Sequence, residues 1–349
     1  MASPRGVVVR QRVPMWRLNL SRGCLTGVAL LCVAYSLSSQ PVELRGDTKV
    51  PFQFVTYGDT RFTNSANTEA ANPMMRRALV QAIAEVHPAF ISIAGDITYR
   101  GDQTGDWRVW DTETAAWRQL GIPIYPALGN HDLHGDEKVA LANYFRRFPV
   151  LDGNRYYSVR AGNTLMLVLD SSLDELSGPQ GQWLTRKLDN IPQDVSFVFI
   201  LLHHPPYTSS SDKKTYGGGH SARPSEELLA KNLEKRQQHV HVRFIVFAGH
   251  VHNYERHEHS GVTYLVTGGG GAHPYPIERG PSDPFQSKDI NYHYLLISVE
   301  KDKLTISMNR IELSGGKPMW TQPDIVTIPA IAAAAHAGVA PGRAVRRFN

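Results

Sequence analysis

Five short apolar segments, each followed within two residues by aspartate, asparagine or histidine, constrain the fold of this chain more than any other feature. The segments are FQFVTY, ISIA, IPIYPAL, VFILL and RFIVFA, and the polar residues after them are Asp59, Asp96, Asn130, His203 and His250. Short apolar runs of this kind predict buried strands. Between them, residues 74–86, 107–120 and 139–148 have apolar residues at helical spacing. Strands that alternate with helices predict an α/β fold whose sheet is covered on both faces.

Beyond Arg155 the pattern changes to pairs of adjacent strands. The runs YYSVR and TLMLVLDS flank the turn residues AGN, and the runs YHYLLISVE and KLTISMNRI flank KDK. Short polar turns between apolar runs predict antiparallel hairpins. We therefore predict one domain of class α/β (α+β) over residues 51–315, with either one mixed sheet or two facing sheets.

The first 39 residues differ from this body. They hold five arginines and no acid, and they end in an apolar run over residues 24–39. A basic stretch before an apolar run predicts a cleaved secretory signal, and an uncleaved anchor that associates the protein with a membrane is the alternative. A buried helix is the third interpretation. We expect a secreted or periplasmic protein whose translation starts at Met1 or Met15.

Charge and cysteine content exclude some functions for the remaining chain. The chain has 37 Lys and Arg and 32 Asp and Glu, and the five basic residues in excess lie in residues 1–39. The body is therefore neutral, which gives no support to a nucleic-acid partner. Cys24 and Cys32 also lie in the first segment, so the body has no thiol for catalysis or zinc. We assign residues 40–50 to a linker and residues 316–349 to an extension with a mobile Ala-rich tail.

The polar residues after the five strands predict a shared site. Loops at the carboxyl ends of strands are where α/β proteins place their ligands. Taken singly, Asp59 and Asp96 also fit turn or cap residues, and His203 with His204 also fits a pair of structural histidines. The segment GHVH (249–252) is a stronger signal, because it brings two imidazoles across a tight turn. The presence of all five motifs in one chain favours a common functional site.

The types of side chain point to a metal. Carboxylates, an amide oxygen and imidazoles without a thiol suit zinc, manganese or iron. There are more candidates than one ion needs. Two ions about 3.5–4 Å apart that share a carboxylate would use them all.

The order GD…GDxxxxG…GNHD…HxPP…GHxH, from residue 52 to about residue 270, is similar to that of the calcineurin-like metallophosphoesterase superfamily. The resemblance implies a two-sheet β sandwich flanked by helices, with a dinuclear metal site at the carboxyl ends of the strands. It implies that Asp96 bridges both ions. The remaining ligands would be Asn130, His203 and His250 for one ion, and Asp59 and His252 for the other. His131 would be a histidine near the leaving group that does not bind metal.

One ligand of the superfamily is missing from this chain. Most members have Asp-x-His in the first motif, whereas this chain has Asp59-Thr60-Arg61. The segments GDITYRG and GHVHNYER resemble the purple acid phosphatase branch, in which the tyrosine of the first segment, here Tyr99, binds a ferric ion. A phenolate is a hard oxygen donor whose pKa a highly charged ion lowers. We therefore expect Tyr99 to be a ligand, with iron paired with zinc, manganese or a second iron; packing of Tyr99 within its loop is the alternative.

Arg61 is also a departure from that branch, which usually has glycine there and glutamate at Asp132. A guanidinium beside a metal aspartate can hold a phosphoryl oxygen as a fork-shaped donor. A surface salt bridge is the competing interpretation for Arg61. The two readings predict different surroundings for its side chain, buried at the site or exposed to solvent.

The resemblance implies hydrolysis of small-molecule phosphate esters by a metal-activated hydroxide. Acid-phosphatase-like monoester hydrolysis is favoured, with His131 and Arg61 as the catalytic side chains. Hydrolysis of nucleotide or lipid head-group diesters is the alternative. From another class of function, a non-catalytic binding protein on the same scaffold also remains open.

Overall fold

The structure is a computed structural model that describes residues 41–46, 48–173, 176, 178–210, 220–287, 289–315 and 317–332. The predicted leader over residues 1–39 and the Ala-rich end of the chain lie outside these residues. Among the described helices, none combines the length and the apolar character needed to cross a membrane.

The described chain alternates strands and helices in its first half and is richer in strands in its second half. The strands are β1 (Glu43–Arg45), β2 (Phe52–Tyr57), β3 (Ile91–Ile93), β4 (Ile124–Pro126), β5 (Tyr157–Ala161), β6 (Thr164–Val168), β7 (Phe197–Leu201), β8 (Arg243–Ala248), β9 (Tyr254–His259), β10 (Val262–Thr267), β11 (Tyr292–Val299), β12 (Lys303–Ser314), β13 (Lys317–Thr321) and β14 (Ile325–Pro329). The helices are α1 (Pro73–Val86), α2 (Thr104–Glu113), α3 (Ala115–Gln119), α4 (Glu137–Arg147), α5 (Pro179–Asp189) and α6 (Pro224–Gln237).

The strands form two sheets, which confirms the predicted two-sheet architecture. The first sheet has the order β1-β5-β6-β7-β8-β10-β9, and the second has the order β13-β12-β11-β2-β3-β4, with β14 also paired to β12. The sheets face each other through aromatic side chains: the ring of Phe54 on β2 lies 5.2 Å from that of Phe199 on β7 and 6.4 Å from that of Phe247 on β8. The hairpin β5–β6 and the pair β11–β12 are antiparallel, as predicted.

Helices cover the outer faces of both sheets. Leu184 of α5 and Leu229 of α6 belong to one apolar cluster with Val198 and Val246 of the first sheet, and α1 contributes Leu79 to the cluster that includes the second sheet. Apolar side chains therefore line both faces of each sheet, as the uninterrupted apolar runs predict.

The single helix predicted over residues 107–120 is two helices in the structure. Thr114 separates α2 from α3, and its buried hydroxyl donates a hydrogen bond to the carbonyl of Trp110 at 2.6 Å. A threonine that bonds four residues back competes with the helical backbone and bends it. The indole of Trp117 then reaches the carbonyl of Val80 on α1 at 3.0 Å, which ties the second piece to the core.

Segments at both edges of the predicted domain also join the sheets. Residues 43–45, within the predicted linker, form β1 and pair in parallel with β5. Residues 317–329, within the predicted extension, form β13 and β14 and pair with the two halves of the long strand β12. Both sheets therefore extend further along the chain than the apolar pattern alone predicts.

Candidate metal centre

Five strands from the two sheets bring the predicted site residues to one place. Strands β2, β3 and β4 are parallel neighbours in the second sheet and lead to Asp59, Asp96 and Asn130. Strands β7 and β8 are parallel neighbours in the first sheet and lead to His203 and His250. Because the carboxyl ends of parallel strands lie at the same edge, each sheet presents its motifs together. The carbonyl of Ala94, after β3, lies 2.8 Å from Nδ1 of His203 and joins the two edges.

The backbone at three of these residues is in the left-handed region. Asp59, Asp96 and His250 have φ angles of 57°, 53° and 70°. Residues other than glycine rarely adopt this conformation, and such strain is concentrated at functional sites. Hydrogen bonds hold it here: the backbone N–H of Asp59 donates to the carbonyl of Gly95 at 3.0 Å, and the N–H of His250 donates to Oδ2 of Asp59 at 2.8 Å.

Gly129 permits a close approach of two ligand loops. A Cβ atom at this position would collide with the backbone nitrogen and Oδ1 of Asp96.

We expect Gly129→Ala to lower the free energy of unfolding by about 1–3 kcal/mol, because the two loops must separate. We also expect it to lower the metal content of the purified protein. Gly105→Ala in α2 is the matched control, since no atom outside its own helix lies within 4 Å; it should stabilise by about 0.5–1 kcal/mol. Urea unfolding of both variants gives the comparison, and equal effects would contradict the close-approach argument.

Two groups of acceptor atoms face the interior of the site. The first group comes from Asn130, His203 and His250. Oδ1 of Asn130 lies 3.0 Å from Nε2 of His203 and 3.2 Å from Nδ1 of His250. Nδ1 of His203 lies at the carbonyl of Ala94, and since a carbonyl only accepts, Nδ1 carries the proton. Nε2 of the neutral His203 ring therefore has a free lone pair, and it faces Oδ1 of Asp96 at 3.4 Å. Oδ1 of Asn130, Oδ1 of Asp96 and Nε2 of His203 thus converge as acceptor atoms.

The second group comes from Asp59 and His252. Oδ1 of Asp59 and Nε2 of His252 are buried 3.6 Å apart, and within the described residues neither has a hydrogen-bond partner. Nδ1 of His252 lies 3.1 Å from the carbonyl of His273, so the proton of the neutral ring is on Nδ1 and Nε2 has a lone pair. Two buried acceptors that face each other are costly unless a cation lies between them.

The charges of the site also favour a cation. Asp59 and Asp96 are fully buried, and Asp59, Asp96 and His203 offer ligand atoms within 4.8 Å of one another. Burial and the charge of Asp96 raise the pKa of the Asp59 carboxyl well above its usual range. Burial lowers the pKa of His252 far below its usual range, so its ring is neutral. Buried carboxylates beside imidazoles that stay neutral are a donor set that fits metal ions.

His131 and Tyr99 lie together beside Asp96. The backbone N–H of His131 donates to Oδ1 of Asp96 at 2.9 Å, and its Nε2 lies 4.0 Å from Oδ2. Nδ1 of His131 donates to the carbonyl of Tyr99 at 2.8 Å, and the two rings stack with centroids 5.3 Å apart. Burial lowers the pKa of His131 to about 4. The ring of Tyr99 therefore packs against His131, and its role as a metal ligand stays a prediction.

Arg61 points into the centre and is not in a surface salt bridge. Its Nη2 donates to Oδ2 of Asp96 at 3.3 Å, and the side chain of Arg61 is 16% exposed while that of Asp96 is fully buried. Its Nε is buried, and within the described residues it has no hydrogen-bond partner. The backbone carbonyl of Arg61 accepts a bond from Nη1 of Arg76 at 3.1 Å. The guanidinium of Arg61 is therefore fixed at the edge of the site, where its Nε–H group can donate a further hydrogen bond.

Two supporting residues were not predicted as part of the site. Asp132 is fully buried, and its carboxylate accepts N–H bonds from Ile97, Thr98 and Gly129 at 2.9, 3.1 and 3.0 Å. Arg76 is fully buried in α1 and pairs with Glu113 at 2.9 Å. The position of Asp132 within GNHD was a usable signal, because a polar residue between a strand and a helix often binds loop backbone. Arg76 also had a signal, since it lies three residues before Leu79 and seven before Ile83 and so falls on the buried face of α1.

The comparisons with known proteins agree with this geometry. The family model of calcineurin-like phosphoesterases matches residues 69–254, more than half of the chain, and it includes every candidate ligand except Asp59. Purple acid phosphatase 23 of Arabidopsis thaliana is 24% identical over 275 residues, which cover 67% of this chain and 56% of that protein. The Fe(3+)-Zn(2+) purple acid phosphatase 12 of the same plant is 26% identical over 241 residues, which cover 63% and 46% of the two chains.

A solved structure shows the same fold. The purple acid phosphatase from yellow lupin seeds superposes with a TM-score of 0.61 at 18% identity, over 81% of this chain and 54% of the other. This chain thus spans about half the length of the curated relatives and of the solved phosphatase that it matches. With its motifs in order, its acceptor atoms gathered between two sheets and a family model over more than half its length, the chain belongs to the calcineurin-like phosphoesterase family and has purple acid phosphatases among its relatives.

Proposed function

We propose that this protein hydrolyses small-molecule phosphate esters at a dinuclear metal centre and favours monoesters, as an acid phosphatase does. The observation that carries the proposal is the pair of acceptor groups on either side of Asp96, in which buried oxygen and nitrogen lone pairs face one another. The two groups together offer more ligand atoms than one ion needs. Similarity to an Fe(3+)-Zn(2+) purple acid phosphatase supports a centre with two different ions.

The residues divide between the two ions as the resemblance implies. Asp96 would contribute to both ions, and Tyr99 would take the place of the histidine that Arg61 replaces. The remaining ligands would be Asn130, His203 and His250 for one ion, and Asp59 and His252 for the other. Bound ions of this kind supply a hydroxide nucleophile near neutral pH and offset charge on the phosphoryl oxygens.

Arg61 and His131 have separate roles in the proposed reaction. Arg61 keeps one contact to Oδ2 of Asp96 at 3.3 Å and directs its remaining N–H groups at a non-bridging phosphoryl oxygen. His131, whose Nδ1 donates to the carbonyl of Tyr99 at 2.8 Å, presents Nε2 to the leaving oxygen and donates a proton to it only as the imidazolium, because Nε2 of the neutral ring carries the lone pair. Since both side chains are fixed by the loops that carry the ligands, substrate binding requires little reorganisation of these loops.

The metal content and absorption spectrum of the purified protein test this proposal. We expect about two metal ions per chain and a visible band from tyrosinate bound to iron(III), which Tyr99→Phe removes. Tyr144→Phe is the matched control, because Tyr144 is buried away from the centre with its hydroxyl on the carbonyl of Pro126 at 2.9 Å; it should leave the band unchanged. A colourless zinc or manganese protein would rule out the ferric tyrosinate and keep the two-metal centre.

Substrate preference is measured on the same preparation. We expect faster turnover of an aryl phosphate than of a bis-aryl phosphate. The reverse order would assign the site to diesters. A protein with neither bound metal nor turnover of either ester would leave a non-catalytic binding protein and overturn the proposed function.

A further inference from the structure

His204 is a buried histidine at the centre that the proposed ligand set does not use. It follows His203 directly and is 7% exposed. A ring nitrogen of His204 lies within 4.8 Å of ring nitrogens of His203 and His250. By distance alone it could be a further imidazole ligand. The hydrogen bonds of its ring decide between that role and another.

The hydroxyl of Ser171 determines which nitrogen of His204 carries the proton. Its Oγ accepts the backbone N–H groups of His203 at 3.3 Å and of His204 at 3.0 Å, and it lies 2.9 Å from Nδ1 of His204. A hydroxyl has one proton and two lone pairs. Because the two N–H groups occupy the lone pairs, the proton of the hydroxyl goes to Nδ1 of His204. The neutral ring then carries its own proton on Nε2.

Three other histidines of the centre have the opposite arrangement. Each places Nδ1 against a backbone carbonyl, which accepts and cannot donate, so Nδ1 has the proton and Nε2 has the lone pair. The pairs are His203 with Ala94, His252 with His273, and His131 with Tyr99. A histidine that binds metal through Nε2 needs this second arrangement. His204 does not have it.

Ser171 is itself held firmly in place. Arg223, which precedes α6, donates from Nη2 to the carbonyl of Ser171 at 2.5 Å and also pairs with Glu226. Ser171 is 1% exposed. A fixed hydroxyl leaves His204 little freedom to exchange tautomers.

We propose that His204 is a hydrogen-bond donor to a phosphoryl oxygen of the substrate and not a metal ligand, and that Ser171 is the positioning residue that fixes its tautomer. This inference rests on the proposed function of the neighbouring centre. An N–H group that faces an anionic oxygen makes a charge-assisted hydrogen bond. Unlike the imidazoles with a lone pair on Nε2, His204 can make this bond without taking up a proton.

Nitrogen NMR of the full-length, zinc-loaded protein with labelled histidine tests the tautomer directly. We expect His204 to be protonated on Nε2 and not on Nδ1, with its signals identified by their absence in His204→Phe. Ser171→Ala should abolish this preference. Ser172→Ala is the matched control, because the buried hydroxyl of Ser172 has no hydrogen-bond partner among the described residues. Protonation of Nδ1 in the wild type, or an unchanged preference in Ser171→Ala, would overturn the assignment.

Metal content and phosphate affinity test the role. We expect His204→Phe to keep its metal and to bind inorganic phosphate about 10- to 100-fold more weakly, as for a lost bond to a charged group. His204→Gln, whose amide also donates, should recover part of this affinity. His203→Phe should instead lose metal.

The outcomes separate the two proposals. Loss of metal in His204→Phe would show that His204 is a ligand, and unchanged phosphate affinity would show that it is a packing residue. Either result overturns this inference. An active, metal-loaded wild type would still support the proposed function. A wild type without metal or turnover would overturn the proposed function, and the donor role with it.

Discussion

Asp96→Asn is expected to lower kcat by at least about 10³-fold and to reduce the bound metal, because it removes the charge shared by the two acceptor groups. The carboxylate is fully buried and contacts Arg61 through Oδ2 and the backbone of His131 through Oδ1. Asparagine has the same shape, so the loops can keep their positions while the charge is lost. A bound metal ion can lower the pKa of water from about 15.7 to about 7, and a variant that binds no ions would lose this effect.

The measurement is metal analysis and aryl phosphate turnover of the same preparation. Asp194→Asn is the control, because this aspartate precedes β7 on the surface, with its side chain 79% exposed beside Arg160. It should match the wild type in both measurements. Full metal content and activity in Asp96→Asn would show that Asp96 does not bridge the ions.

Asp132→Ala is expected to lower the free energy of unfolding by about 3–5 kcal/mol, more than any other variant proposed for this protein. Its carboxylate is the common acceptor for N–H groups of Ile97, Thr98 and Gly129, from the loops after β3 and β4. Alanine leaves these buried donors without a partner, and each costs about 1–3 kcal/mol. Because the same loops carry Asp96 and Asn130, we also expect weaker metal binding.

Urea unfolding of metal-free protein gives the stability without a contribution from bound ions. Asp136→Ala is the matched control, since the Asp136 carboxylate caps α4 through a single bond from the N–H of Val139 at 3.1 Å. It should lose about 1 kcal/mol, as other N-cap residues do. A loss in Asp132→Ala no larger than that of Asp136→Ala would contradict the role of Asp132 as the link between the loops.

The sequence predicted the fold, and it predicted which residues lie at the centre where these residues directly follow an apolar run. Apolar runs followed by Asp59, Asp96, Asn130, His203 and His250 are visible along the chain, and the structure brings all five residues together at the strand ends. The break of the helix at Thr114 was not predicted, because a threonine is compatible with helical spacing and only its bond to Trp110 bends the backbone. Strands β1, β13 and β14 were missed as well, since their residues are largely exposed and carry no clear apolar pattern.

The roles of Arg61 and His204 could not be chosen from the sequence, because they depend on contacts with residues far away in the chain. For Arg61, the sequence left a phosphate contact and a surface salt bridge equally open. Its burial beside Asp96, which lies 35 residues further along the chain, removes the second possibility. For His204, the resemblance indicated only that His203 is the preferred ligand, and the role of its neighbour depended on a serine 33 residues away.

The sequence by itself determined which chemical groups this protein has at its strand ends, because residue type and strand position are local properties of the chain. Only the tertiary structure decided which ring nitrogens of the histidines present a lone pair and which carry a proton. That choice depends on the partner of each Nδ1, and the carbonyl that holds His203 is 109 residues away at Ala94. Hydrogen bonds between residues so distant in the chain exist only once the two sheets have packed together, and they determine which ring nitrogen of each histidine carries the proton.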